Sequence, residues 1–73
     1  MKPAETLREH FKLMRKATEQ AMADYHFNVI YGYLLGLRET QQITFATYKR
    51  LIAIATKAWG QKIDRIYGFR RAA

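Results

Sequence analysis

Four kinds of side chain in this sequence have chemistry to offer: two imidazoles, six carboxylates, five phenols and thirteen lysines and arginines. His10 and His26 lie 16 residues apart, with no acidic or cysteine companion at ligand spacing. They read as surface or boundary histidines, so neither a metal site nor a cofactor is expected. There is no serine and no cysteine to act as a nucleophile, and no glycine-rich loop to cradle a phosphate. Glu5 and Glu9 sit among cations, which would not raise a carboxyl pKa towards acid–base work. The expectation is a protein that is not an enzyme and takes no small-molecule substrate.

What remains is charge. The net charge of +7 is unevenly spread. Residues 44–73 carry Lys49, Arg50, Lys57, Lys62, Arg65, Arg70 and Arg71 against Asp64 alone, which is +6 of that excess. Such asymmetry points to an acidic protein surface or a nucleic acid as partner. At 100° per residue, Arg50 and Lys57 fall almost in line on a helix, with Lys49, Ala53, Gln61 and Arg65 beside them. The candidate binding residues are therefore Lys49, Arg50, Lys57, Gln61, Lys62 and Arg65, continuing into Arg70 and Arg71. Cation contacts of this kind would be sensitive to salt and mostly blind to base sequence. The competing reading is a solvated face that keeps the protein soluble.

These cations need a scaffold, and the sequence offers helices. Leu7, Phe11, Met14, Thr18, Ala21 and Tyr25 recur at steps of four and three, one stripe of an amphipathic helix over about 4–23. Phe27, Ile30, Tyr31, Leu34 and Leu37 form a second stripe over about 25–38, apolar nearly all round and therefore central. Asn28, Gly32 and Gly36 make a small-residue groove along it, read as the seat of a neighbouring helix. After a polar turn at Glu39-Thr40-Gln41-Gln42, Thr44 is a good N-cap, and Ile43 with Tyr48 fits a hydrophobic staple. The last helix, about 44–67, has Tyr48, Ile52, Ala55, Trp59, Ile63 and Ile66 on its core face, diametrically opposite the cations. Gly68 would close it as a left-handed cap, leaving a basic tail over 68–73.

One helical domain over 1–73 follows, of all-α class: a small three-helix bundle or a long helical hairpin, either monomeric or dimerising. An unbroken helix from 4 to 38 would be about 52 Å long, against about 36 Å for 44–67, and would hang an apolar stripe in water. Either it bends near Asp24-Tyr25-His26 or the overhang pairs with a second copy; the bend is favoured. With no cysteine there are no disulfides, which fits a cytoplasmic setting. No secretory leader is expected, because no apolar run follows Lys2, Glu5 and Arg8. The longest uncharged stretch, Tyr25 to Leu37, is 13 residues, short of the roughly 20 that a membrane span needs.

Aromatic residues are numerous. Phe11, Phe27, Tyr31, Tyr48 and Trp59 fall on core stripes, while Tyr33, Tyr67 and Phe69 are the expected exposed members. A helix-turn-helix fits poorly, since the turn before Thr44 exceeds the three or four residues that motif uses. The stretch Tyr33-Leu34-Leu35-Gly36-Leu37-Arg38-Glu39, then Ile43-Thr44, then Tyr48-Lys49-Arg50-Leu51, is similar to helical hairpins of short accessory proteins carried by bacterial phages and plasmids. That resemblance implies a mobile-element protein that regulates or inhibits a host machine, as anti-CRISPR-type inhibitors and small repressors do. Three functions are open: a protein-binding inhibitor or adaptor, a direct DNA-binding regulator, and an assembly subunit with an incidental basic end.

Overall fold

Proline lacks a backbone N–H and has its φ preset for a first helical turn, so Pro3 opens α1 (Pro3–Lys16). Two further helices follow, α2 (Gln20–Glu39) and α3 (Phe45–Ala72). The computed structural model describes the backbone of residues 3–72 and the side-chain surroundings of residues 4–68. Among the described residues there is no strand, and no helix is long and apolar enough to cross a membrane. The protein is a three-helix bundle. Its helices are about 21, 30 and 42 Å long, and the whole measures 46 × 23 × 14 Å. α2 packs extensively on both of its neighbours, whereas α1 and α3 touch little.

The first helix ends earlier than its stripe suggests. The bend falls at Ala17-Thr18-Glu19, not near Asp24-Tyr25-His26. Glu19 caps α2 in extended conformation, with φ −131 and ψ 149. Leu7, Phe11 and Met14 keep their places on the core, but Thr18, Ala21 and Tyr25 are exposed. Ala17 and Ala23 are buried instead. Two methyl side chains let the chain double back tightly, and the fold then places α2 against α1 rather than leaving the stripe in water.

The core is built from Met14, Ile30, Leu34 and Leu37, with Tyr48 and Ala55 from α3. Half-buried Phe27, Ile43, Ile52, Trp59 and Ile63 pack around it, and Ile66 is buried further along α3. At the α2–α3 turn, the amides of Gln41 and Gln42 bond the carbonyls of Arg38 and Leu37 at 3.0 and 2.8 Å. This is the Schellman pattern, with Gln41 at the left-handed position, φ 60. Glutamine there costs about 1 kcal/mol against glycine, because its Cβ crowds the carbonyl. Thr44 then caps α3: its hydroxyl accepts from the Thr47 amide at 3.1 Å. Gly68, by contrast, is not a left-handed cap; no glycine has positive φ, and α3 runs on to Ala72. The expected basic tail is thus helical backbone for most of its length, while the side chains of Phe69, Arg70 and Arg71 lie outside the described residues.

The small-residue stripe on α2 is the second departure. Asn28, Gly32 and Gly36 face solvent, and no helix sits on them. A Cβ added at Gly32 or Gly36 would meet no atom within 4 Å. Both glycines therefore cost backbone entropy with no packing return. Gly32→Ala and Gly36→Ala should each stabilise the fold by about 0.8–1 kcal/mol, seen as a rise in Tm of roughly 4–8 °C per substitution. A fall in Tm would show that this face is occupied in solution.

Candidate functional site: a cationic groove between α1 and α3

The rotation of α3 about its own axis decides where its cations point. Trp59 sets that rotation. Its indole lies 5.5 Å from the Phe27 ring, centroid to centroid, and its Nε1–H donates to Asp24 Oδ1 at 2.7 Å. A bond to a carboxylate is worth about 1.5 kcal/mol or more. Further along, the Tyr67 hydroxyl donates to Gln20 Oε1 at 2.6 Å. With this edge turned to α2, Arg50 and Lys57 are exposed on the opposite side. Neither forms an ion pair among the described residues.

Not all the expected binding residues share one face. Lys49 lies on the α2 flank, its ammonium 5.5 Å from the Phe45 ring centroid. The Arg38 guanidinium covers the same ring at 4.5 Å and the Tyr48 ring at 5.3 Å. A hydrogen bond with Tyr31, and then burial, hold the Tyr48 phenol above the ordinary tyrosine range. Tyr31 itself is exposed rather than in the core, and Tyr33 is half-buried rather than exposed. Asp64 interrupts the outermost line of α3, two turns along from Lys57.

Lys62 and Arg65 turn towards α1, and Gln61, one helical turn on from Lys57, borders the same cleft. They meet Arg15 and Ala58 around a cleft of about 180 Å³. Arg15 also lines the adjoining cleft, about 290 Å³, with Arg8, Phe11, Leu51 and Ile54. The two clefts form one groove whose rim is Arg8, Arg15, Lys62 and Arg65 and whose floor is apolar. No carboxylate lines either part. Ile54 is 50 % exposed there. Glu5, Glu9, Lys12 and Lys16 are exposed on α1 and line neither cleft.

Arg8, Arg15 and Ile54 were not among the residues expected from the sequence. Their signal was present: Arg8 and Arg15 are seven apart, two turns, with Phe11 between them on the same edge of α1. It became meaningful only once α1 lay beside α3.

The bend also brings together His10 and His26, which the sequence kept apart. Their Nδ1 atoms are 3.1 Å apart, and their rings lie at 42° with centroids at 5.3 Å. The Tyr25 ring meets His26 edge-on at 4.9 Å. One Nδ1–H must donate to the other ring's Nδ1 lone pair, so the two imidazoles hold different tautomers. Burial, and then the neighbouring His10, lower the His26 pKa below its ordinary value. Among the described residues, no group of three or more histidines, cysteines or carboxylates is placed to hold a metal.

No protein-family model, curated protein or solved structure matches the chain.

Because the folded pKa of His26 is depressed, the unfolded chain takes up its proton first as pH falls. Stability should therefore be full above pH about 6.5, the ordinary histidine value, and decline on acidification below it. Thermal melts from neutral pH down to about 5 should show that decline. The slope should flatten in His26→Gln, and an unchanged slope would remove the histidine from the account.

Proposed function

We propose that the chain is a non-enzymatic binding protein, an inhibitor or adaptor of the phage or plasmid kind its hairpin resembles. It docks the α1–α3 groove on an acidic protein surface of a nucleic-acid-handling machine. The observation that carries this reading is a rim of four cations free of carboxylates around a partly exposed apolar floor. A partner protein supplies both complements, carboxylates for Arg8, Arg15, Lys62 and Arg65 and apolar side chains for Phe11 and Ile54. Arginine and aromatic residues beside partly exposed aliphatics are the usual makings of an interface hot spot. Phosphate backbones would satisfy the rim and leave the floor in water.

A second reading rests on a different part of α3. Arg50 and Lys57 are exposed, two turns apart on one line of α3, which suits phosphate contacts by a DNA-binding regulator. The turn between α2 and α3 occupies residues 40–44, longer than a helix-turn-helix uses, so such binding would be independent of base sequence.

Charge-matched substitutions separate these readings. Arg15→Glu with Arg65→Glu should weaken binding of fluorescent poly-glutamate by about tenfold or more at moderate salt. Lys12→Glu with Lys16→Glu changes net charge equally at residues that line neither cleft and should cost much less. Equal losses from both pairs would mean that net charge alone drives binding, which ends the groove proposal. Duplex DNA bound more tightly than poly-glutamate, and lost in Arg50→Glu with Lys57→Glu, would give the function to the outer line.

A further inference from the structure

His10 and His26 are used by neither the core nor the groove, yet they are held in a defined relation across α1 and α2. Both are half-buried, so each ring is oriented by packing while one side stays within reach of water. Ligands bonded to one ion at about 2.0–2.1 Å, in tetrahedral or octahedral array, lie about 2.9–3.4 Å apart. The two Nδ1 atoms are 3.1 Å apart.

The geometry points to a two-histidine site in which His10 Nδ1 and His26 Nδ1 bind a single Cu2+, Ni2+ or Zn2+ ion that bridges α1 and α2. Imidazole nitrogen selects this class of ion. The hard cations Mg2+ and Ca2+ need oxygen donors, which the pair does not offer. With no third histidine, cysteine or carboxylate in reach among the described residues, water fills the other positions. The site is open and its affinity modest, unlike a closed four-ligand zinc site.

Protons balance without an outside base. In the hydrogen-bonded pair one imidazole carries its proton on Nδ1 and the other on Nε2. Metal binding needs both Nδ1 lone pairs, so the first ring's proton moves from Nδ1 to Nε2 through solvent. Both rings stay neutral, and no net proton is released from the neutral pair. Each ring must also swing so that its lone pair points at the ion rather than at the opposite nitrogen. A short rotation of two half-buried side chains supplies that motion.

The consequence is mechanical. In the unfolded chain the two histidines are separated by 16 residues and do not preform a site. The ion therefore binds the folded state preferentially and stabilises it. It does so by clamping α1 to α2, the helix pair joined by the tight bend at residues 17–19.

The test uses the full, untagged chain freed of metal by chelation. At about ten times the dissociation constant, Cu2+, Ni2+ or Zn2+ should raise Tm by roughly 5 °C or more. Cu2+ should bind most tightly of the three, with one ion per chain, and Mg2+ should have no effect. The rise should disappear in His10→Gln and in His26→Gln. The electron paramagnetic resonance spectrum of the Cu2+ form should show coupling to two nitrogens, falling to one in either variant. Absence of a metal-dependent rise in the wild type, a rise that survives either substitution, or coupling to fewer than two nitrogens in the wild type would each overturn the proposal. If a variant does not fold, the wild-type spectrum decides alone: two nitrogens support the site and fewer reject it.

Discussion

Trp59 grips α2 from the middle of the longest helix, and the placement of the described cations on α3 follows from that grip. The indole combines a large apolar body, laid against Phe27, with a single N–H that reaches Asp24. Apolar burial alone would tolerate some sliding and rolling of one helix on another. A directed hydrogen bond to a carboxylate does not, because its strength falls steeply with misalignment. Once Trp59 is fixed, the helical repeat does the rest: Arg50 lies about 180° round the axis and Lys57 about 160°. Gln61, Lys62 and Arg65 occupy the flank that α1 leaves partly uncovered.

That flank matters because α1 is the short helix. At about 21 Å it covers roughly half the length of α3, and α2 lies between them as the common support. The result is a shallow seam rather than a closed three-way core. Phe11, Leu51, Ile54 and Ala58 meet there without being fully buried. Arg8 and Arg15 rise from one side, Lys62 and Arg65 from the other. Four like charges around an apolar floor cost stability in isolation. A partner with the opposite charge would recover that cost, which is the ground for proposing the seam as a docking surface.

Much of the fold was legible in the sequence because one periodicity dominates it. The core stripe of α3 from Tyr48 to Ile66, the Thr44 cap and the all-helical class were all read from spacing and residue type. That the chain bends was expected, but the position of the bend was not legible, since nothing in Thr18-Glu19 breaks a helix outright. It is imposed by tertiary packing around two alanines and by the need for Asp24 and His26 to reach partners on other helices. Gly68 misled for a related reason: glycine permits a left-handed cap but does not compel one, and the position that adopts it is Gln41. The stripe of Asn28, Gly32 and Gly36 was visible and given the wrong neighbour. Within the candidate site, the α3 half was foreseen in Gln61, Lys62 and Arg65. The α1 half was not, because Arg8 and Arg15 gain their meaning only across a helix–helix gap that a linear pattern does not contain.

Arg8, Arg15, Lys62 and Arg65 are held to act as one rim on one side of the molecule. Backbone amide NMR of the labelled chain, titrated with short poly-glutamate, tests it most directly. The largest shift changes should map to Arg8, Phe11, Arg15, Ile54, Ala58, Gln61, Lys62 and Arg65, and saturate together. Changes spread evenly over all cationic positions, Lys12 and Lys16 included, or centred on Tyr25 to Gly36 of α2, would contradict it.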